Sequence, residues 1–252
     1  MYPIDNAAKA LFAAEKRQVL RITGIDPNGN AIEITEADVK LGTFAIDRYC
    51  CNGGKLEVGT AVAAEMKVQL NNTEGTFDNI IFEGTELYVE IGIADWENDP
   101  SNAYWLPCGY FTPVEQPRRL TIISINALDR MATLDRVAKT EPWTDNNGNV
   151  MTDNLGNIIY FEEGLSFPCT IANLIEQIGC NYIHCVQDLS GFPNSGLTLT
   201  GLPTLTSETT VRDIIQWCAG VMGANAYVDW NGNLCFAWYD NATGYSSTTA
   251  NR

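Results

Sequence analysis

Between Val19 and Asp129 apolar and polar residues alternate in short runs, and most of the stretches between runs contain Gly, Pro or Asn. Successive side chains of an extended chain face opposite sides, so a period of two commits such runs to a sheet with one buried face. The runs are "VLRITGID", "AIEIT", "GTFAIDRY", "KLEVG", "EMKVQLNN", "TELYVEIGIAD", "YWLPCGYFTPVE" and "LTIISINALD". The first two flank Pro27-Asn28-Gly29-Asn30, where Asn and Gly supply the positive φ of a tight hairpin turn. About eight short strands with such turns predict a barrel or a strongly bent sheet. Closure would also remove exposed strand edges.

The period changes elsewhere. Asp5 is placed to cap a short helix through Ala7, Ala8, Ala10, Leu11, Ala13 and Ala14. In "NALDRMATLDR", Leu128, Met131, Ala132 and Leu134 share one helical face, which predicts a strand running into a short amphipathic helix before Arg136. "TIANLIEQIGC" places Ile171, Leu174, Ile175 and Ile178 inward, with Gly179 as the stop. "NYIHCV" reads as a strand. Thr209 or Thr210 caps a helix carrying Val211, Ile214, Ile215 and Cys218, which Gly220 and Gly223 end, and "AYVDWNGNLCFAWY" then turns at Asn231-Gly232 as a hairpin. "TDNNGNVM" and "TDNLGNII" repeat one Asn- and Gly-rich turn, too short to be a repeat architecture.

The main boundary is expected in "AKTEPWTDNNGN". The expected class is α+β, mainly β: a β-barrel-like domain with an N-terminal helix over 1–138, a smaller α+β domain over 139–240, and a polar tail or linker over 241–252. At 252 residues either domain can bury a substantial core.

Charge excludes one class of partner. With 31 acidic against 15 basic residues and a net charge of −16, phosphate neutralisation is no chain-wide strategy, although a carboxylate-lined surface can let a polyanion pass without sticking. The opening "MYPIDNAAKALFAAEKRQ" lacks a basic stretch followed by an apolar one, so the 8 cysteines are expected as reduced, mostly buried thiols of a cytoplasmic product. No apolar run reaches membrane-spanning length.

The groups that could carry chemistry each have a structural reading. Cys50 and Cys51 are adjacent, so on a strand their side chains diverge. Cys180, His184 and Cys185 lack a fourth ligand at zinc spacing, and His184 is the 1 histidine available to any catalytic triad. Asp95, Glu97 and Asp99, and Asp145, Asn147 and Asn149, resemble calcium loops, but Pro100 and Leu106, and Val150 and Gly156, stand where such a loop needs Gly and Glu. Trp96, Tyr104 and Trp105 could stack on a sugar, with paired carboxylates to cleave it. Catalytic residues, cofactor and metal are therefore each expected to be none.

Four segments in order carry a resemblance: "ITEADVKLGTFAIDRYCCNGGKLEVGTAVAAEMKVQLNN", "CGYFTPVEQPRRLTIISINALDRMATLD", "FPCTIANLIEQIGC" and "TVRDIIQWCAGVMGANAYVDWNGNLCFAWY". Spanning most of 32–239, the series resembles hub or tail-associated baseplate proteins of long-tailed bacteriophages and prophages. The resemblance implies a barrel-like tube domain and a second α+β domain, with the chain returning to the barrel at about 225–240. It also implies a homotrimeric ring contacting tail tube, distal tail and spike or tape-measure proteins. DNA would pass through the lumen without specific binding, and the product, made in the bacterial cytoplasm, would reside in the virion tail. Such hubs commonly carry two barrels per subunit and this chain has room for one, which fits either a shorter hub or an N-terminal piece of a longer tail protein. The polar ending favours the second. A structural, non-enzymatic role is thus expected, against a carbohydrate-active or sugar-binding module using Trp96, Tyr104 and Trp105.

Overall fold

The computed structural model describes residues 16–49, 57–95, 103–115, 118–119, 121–138, 144–152, 158–159, 165–202 and 208–237, with single residues at 6, 9 and 156. Apart from Asn6 and Lys9, both helical, the expected N-terminal helix lies outside the described residues. The chain makes two compact units from interleaved segments: Met1–Tyr49, Ala63–Ala132 and Val228–Asn233 form the first, and Cys50–Val62, Thr133–Tyr227 and Leu234–Arg252 the second.

The first unit is one antiparallel sheet of β1 (Lys16–Ile25), β2 (Ala31–Thr35), β3 (Ala45–Asp47), β4 (Glu65–Asn71), β5 (Leu87–Asp95), β6 (Tyr104–Glu115), β7 (Arg118–Arg119) and β8 (Ile122–Asp129). Its order is β2-β1-β5-β6-β8-β4-β3, with β7 added alongside β8. Alternation sets the buried face: Leu20 and Ile22 on β1, Ile32 and Ile34 on β2, Met66, Val68 and Leu70 on β4, and Ile123, Ile125 and Ala127 on β8 belong to one cluster. Strands from opposite ends of the order share that core, so the sheet is strongly bent. Phe77 and Phe82, from the connection before β5, join it. Each fully buried side chain of this size stabilises by roughly 1.5–3 kcal/mol.

Closure does not follow from the bend, and the expected barrel is corrected to an open sheet: among the described residues β2 pairs with β1 and β3 with β4, but β2 and β3 do not pair. The reason lies in the connection between them. Lys40 N donates to Gln69 O at 2.8 Å and Asn71 N to Asp38 O at 2.7 Å, with a bridge of Val39 to Leu70. The chain leaving β2 thus crosses to the far edge and docks on β4 before β3 begins, which leaves β2 an edge among the described residues.

The short amphipathic helix expected to carry Leu128, Met131, Ala132 and Leu134 on one face is also corrected. Leu128 and Asp129 complete β8, and a single 3-10 turn, Arg130–Leu134, follows. Asp129, buried, accepts from Met131 N at 3.0 Å, so its carboxylate starts the turn at Arg130.

The second unit contains α1 (Ile171–Asn181), α2 (Val211–Val221) and short strand pairs: β9 (Ile158–Ile159) with β10 (Ser166–Phe167), β11 (Cys169–Thr170) with β12 (Thr198–Leu199), and β13 (Asn225–Val228) with β14 (Leu234–Ala237). Thr210 caps α2 in a reciprocal box with Asp213, and Val211, Ile214, Ile215 and Cys218 are buried as their spacing requires. In α1 the same holds for Ile171, Leu174, Ile175 and Ile178, but the helix continues past Gly179. An added Cβ there would stand 3.2 Å from Cys185 N, so this glycine admits a neighbouring backbone rather than ending the helix.

That neighbour is irregular, correcting the strand expected at "NYIHCV". Its pairing is made partly by a side chain: Leu234 N donates to His184 O at 2.7 Å, whereas Gln187 accepts from Phe236 N at 2.6 Å and donates to Phe236 O at 3.0 Å. Glu57–Gly59 of the expected strand "KLEVG" likewise forms a bend. Gly59 N donates to Ala224 O at 2.9 Å and Thr60 N to Asn225 Oδ1 at 3.1 Å, which fixes this early segment within the second unit.

Candidate functional site

The outward face of the first unit's sheet carries its aromatic and charged groups. On β5 and β6, Tyr88 and Tyr110 are register partners with ring centroids 4.8 Å apart. Arg130 lies 4.3 Å over the Tyr110 ring and forks onto Glu86, at 2.6 Å from Nε to Oε1 and 2.7 Å from Nη2 to Oε2. Glu86 holds the guanidinium above its ordinary pKa.

One step along, Arg21 sits 4.3 Å over Trp105 and pairs with Glu90 at 2.6 Å. Gly92 is the register partner of Trp105, and a Cβ at Gly92 would come 2.9 Å from the indole. A glycine opposite an aromatic residue lets the ring lie on the strand backbone and restores the packing that the missing side chain forfeits. Trp105 is therefore packed between Gly92 and Arg21, not presented as a sugar platform. Tyr104 is half-buried, and Trp96 lies outside the described residues.

Two arginines of this unit hold the turn Val228–Asn233. Arg48 donates to Val228 O at 3.1 Å and to the Cys108 carbonyl, while Arg130 donates to Gly232 O at 3.3 Å. The turn itself is one of three copies of Asp-x-Asn-Gly-Asn, at 26–30, 145–149 and 229–233. In each, one Asp oxygen accepts from the amides two and four residues on, at 2.9 and 2.7 Å from Asp26, 2.8 and 2.8 Å from Asp145, and 2.9 and 2.8 Å from Asp229. The glycines take φ of 85°, 82° and 78°. This shared pentapeptide was readable in the sequence, because Asp spaced four from Asn around Asn-Gly has one economical hydrogen-bond pattern.

The remaining sequence candidates are dispersed. Asp145 spends its oxygens on turn amides, and the Asn149 side chain, followed by the Asn149 and Asn147 amides, holds its carboxyl below the usual range. Of the other loop candidates, Glu97, Asp99, Pro100 and the Asp95 side chain lie outside the described residues, as do Cys50, Cys51 and the Cys180 side chain. His184 is exposed on the irregular segment, and burial raises the Cys185 thiol. Among the described residues no three His, Cys, Asp or Glu side chains converge as a metal site, and no helix is long and apolar enough to cross a membrane.

A cleft of about 490 Å³ opens beside the first turn of α1, lined by Thr170, Asn173, Glu176, Gln187 and Asp188 among others. It offers no anion hole. Ile171 N donates to Leu197 O at 3.1 Å, Ala172 N to Ser195 O at 3.0 Å and Asn173 N to Thr170 Oγ1 at 3.1 Å, so the helix-start amides are engaged.

The sheet edges are the other functional candidates. Ala31 and Glu33 of β2 and Ala45 of β3 are exposed, and each strand has a ladder on one side among the described residues.

No family model matches the chain, and no curated protein matches it. Solved structures do. In structure the chain is similar to tail proteins. The 43 kDa tail protein of prophage MuSo2 from Shewanella oneidensis is similar over 88% of this chain and 52% of its own, with 13% identity and a TM-score of 0.47. For the tail protein from Neisseria meningitidis MC58 the values are 92% and 56%, with 10% identity and a TM-score of 0.48. A Francisella PdpA–VgrG complex is similar over 92% of this chain and 34% of that one, at 6% identity and a TM-score of 0.47. The chain spans little more than half the length of the two tail proteins.

Proposed function

We propose that this chain is a structural component of a phage or prophage tail tip or baseplate hub, self-assembling into a trimeric ring that continues the tail tube and docks neighbouring tail proteins. The observation that carries the reading is the open sheet. A strongly bent antiparallel sheet with β2 and β3 as edges is an unfinished barrel, and pairing or packing across subunits would cover edges that otherwise invite indiscriminate association. The ordered series of hub-like segments across 32–239 supports the same reading. So does the net charge of −16, which suits a lumen that DNA traverses without binding.

In this reading residues 1–138 supply the tube-like domain and 139–240 the α+β domain. The hairpin over about 225–240 returns to the tube-like part, in keeping with Val228–Asn233 grouping with the first unit. The partners are tail tube, distal tail and spike or tape-measure proteins, and the location is the virion tail after assembly in the bacterial cytoplasm. Obligate interfaces of this kind bury about 2,000 Å² or more in total. Light scattering on the purified chain across a concentration series, with negative-stain imaging, tests it. Ring-shaped trimers support the proposal, and a monomer at every concentration that also fails to join tail-tube protein rejects it.

A further inference from the structure

One Asp-x-Asn-Gly-Asn turn recurs in three different mechanical settings. An Asn-Gly bond is the peptide linkage most open to self-modification, because glycine leaves its own nitrogen sterically accessible. That nitrogen attacks the preceding Asn side-chain carbonyl, forming a ring as the Cγ–N bond breaks and ammonia leaves, and the glycine proton passes to solvent base. Water then opens the ring at either carbonyl, giving aspartate or isoaspartate. In the turns at 26–30, 145–149 and 229–233 the attacking nitrogen is already engaged, since Gly29, Gly148 and Gly232 donate to the Asp carbonyl at 2.9, 2.9 and 3.1 Å. The reaction must therefore wait for the turn to open, and its rate follows the local opening equilibrium.

Those equilibria differ. The first turn closes a β1–β2 ladder with five register pairs, Thr35 to Arg21 through Ala31 to Ile25. Asp26 there is buried and also accepts from Ile81 N at 3.3 Å. The third turn joins β13 to β14, and its Gly232 is buried with Arg130 donating to its carbonyl. By contrast the middle turn is exposed throughout, with Thr144 bridged to Val150 beside it.

We propose that Asn147-Gly148 is a site of spontaneous deamidation in the folded protein, while Asn28-Gly29 and Asn231-Gly232, with the same pentapeptide signature, are guarded by the structure around them. The modification converts an amide to a carboxylate in an exposed turn. This inference stands apart from the tail-protein reading. Asn52-Gly53 lies outside the described residues.

The test ages the intact chain at mildly alkaline pH and quantifies aspartate plus isoaspartate at each Asn by peptide mass spectrometry, with a parallel sample in concentrated urea. Asn147 is expected to convert at least about tenfold faster than Asn28 and Asn231 in the folded sample, equivalent to ~1.4 kcal/mol in opening cost, and the three are expected to agree within about twofold in urea. Conversion of Asn28 or Asn231 as fast as Asn147 in the folded chain overturns the proposal, as does the same ranking persisting in urea. Amide hydrogen exchange at Gly29, Gly148 and Gly232 gives a second readout needing no variant. Exchange fastest at Gly148 supports the assignment, and equal protection refutes it.

Discussion

Within the second unit, Gly59 and Gly220 bring two backbones together, and the contact is asymmetric enough to predict opposite effects from the same substitution on its two sides. Gly59 has φ of +85°, and an added Cβ would stand 2.9 Å from Gly220 Cα and 3.1 Å from both Gln216 O and Gly220 N. Those are backbone atoms of α2 and cannot rotate aside. Left-handed backbone costs Ala about 1–2 kcal/mol, and overpacking against a fixed helix adds roughly 1–3. Gly59→Ala is therefore expected to destabilise by about 2–5 kcal/mol. Gly223 is the control: its φ is +69° but nothing lies within 4 Å of its Cβ position, so Gly223→Ala carries the backbone cost alone, about 1–2 kcal/mol. From the other side, a Cβ on Gly220 meets Gly59 Cα at 3.7 Å, an ordinary contact, in a helical residue. Gly220→Ala should be neutral or stabilising by up to about 1 kcal/mol. Urea denaturation followed by far-ultraviolet circular dichroism, compared at unchanged slope, reads all three. A Gly59→Ala variant no less stable than Gly223→Ala, or a Gly220→Ala variant as damaged as Gly59→Ala, would contradict a fixed backbone contact here.

Three further outcomes follow from named contacts. Thr210→Ala removes one half of the capping box of α2 and should cost about 1 kcal/mol in the same assay, and an unchanged midpoint would contradict it. Gln187→Glu keeps an acceptor for Phe236 N but loses the donor to Phe236 O, so it should destabilise at neutral pH by about 1–3 kcal/mol and recover partly in acid, as protonation returns a donor; loss that is independent of pH would contradict this. Burial, with Cys169 nearby as the lesser cause, pushes the Cys218 thiol up to about 12. The folded state then holds the proton that the unfolded thiol, near 8.5, releases, so this contribution is intact below about pH 8.5 and declines as pH rises toward that raised value. Alkylation of Cys218 should accordingly track unfolding, and rapid labelling of the folded chain at pH 8 would refute it.

What the sequence made legible was whatever rests on periodicity. Ile22, Ile34, Val68 and Ile125 fall on the buried face because alternation permits nothing else, and Val211, Ile214, Ile215 and Cys218 do so by helical spacing. Contacts made by single groups left no such trace. Gly179 reads as a helix stop, yet its role is to admit the backbone of Cys185, a partner no local pattern names. Gln187 replaces a backbone ladder with its side-chain amide, so "NYIHCV" carries a strand's composition without a strand's geometry. The bend at Glu57–Gly59 is fixed by Ala224 and Asn225, far along the chain. Barrel closure turned on Asp38–Lys40 docking on β4, a long-range choice invisible to alternation. Among the candidate groups, Trp105 looked like a platform because the sequence shows neither Arg21 above it nor Gly92 beneath.

The most direct test of the central proposal is amide hydrogen exchange at the two sheet edges, Ala31–Thr35 and Ala45–Asp47, measured on dilute and assembled fractions of the same preparation. Subunits that join through their sheets should show outward-facing amides on these strands exchanging with solvent when dilute and strongly protected when assembled. Edges that exchange identically in both fractions, or protection appearing elsewhere while the edges stay open, would contradict it.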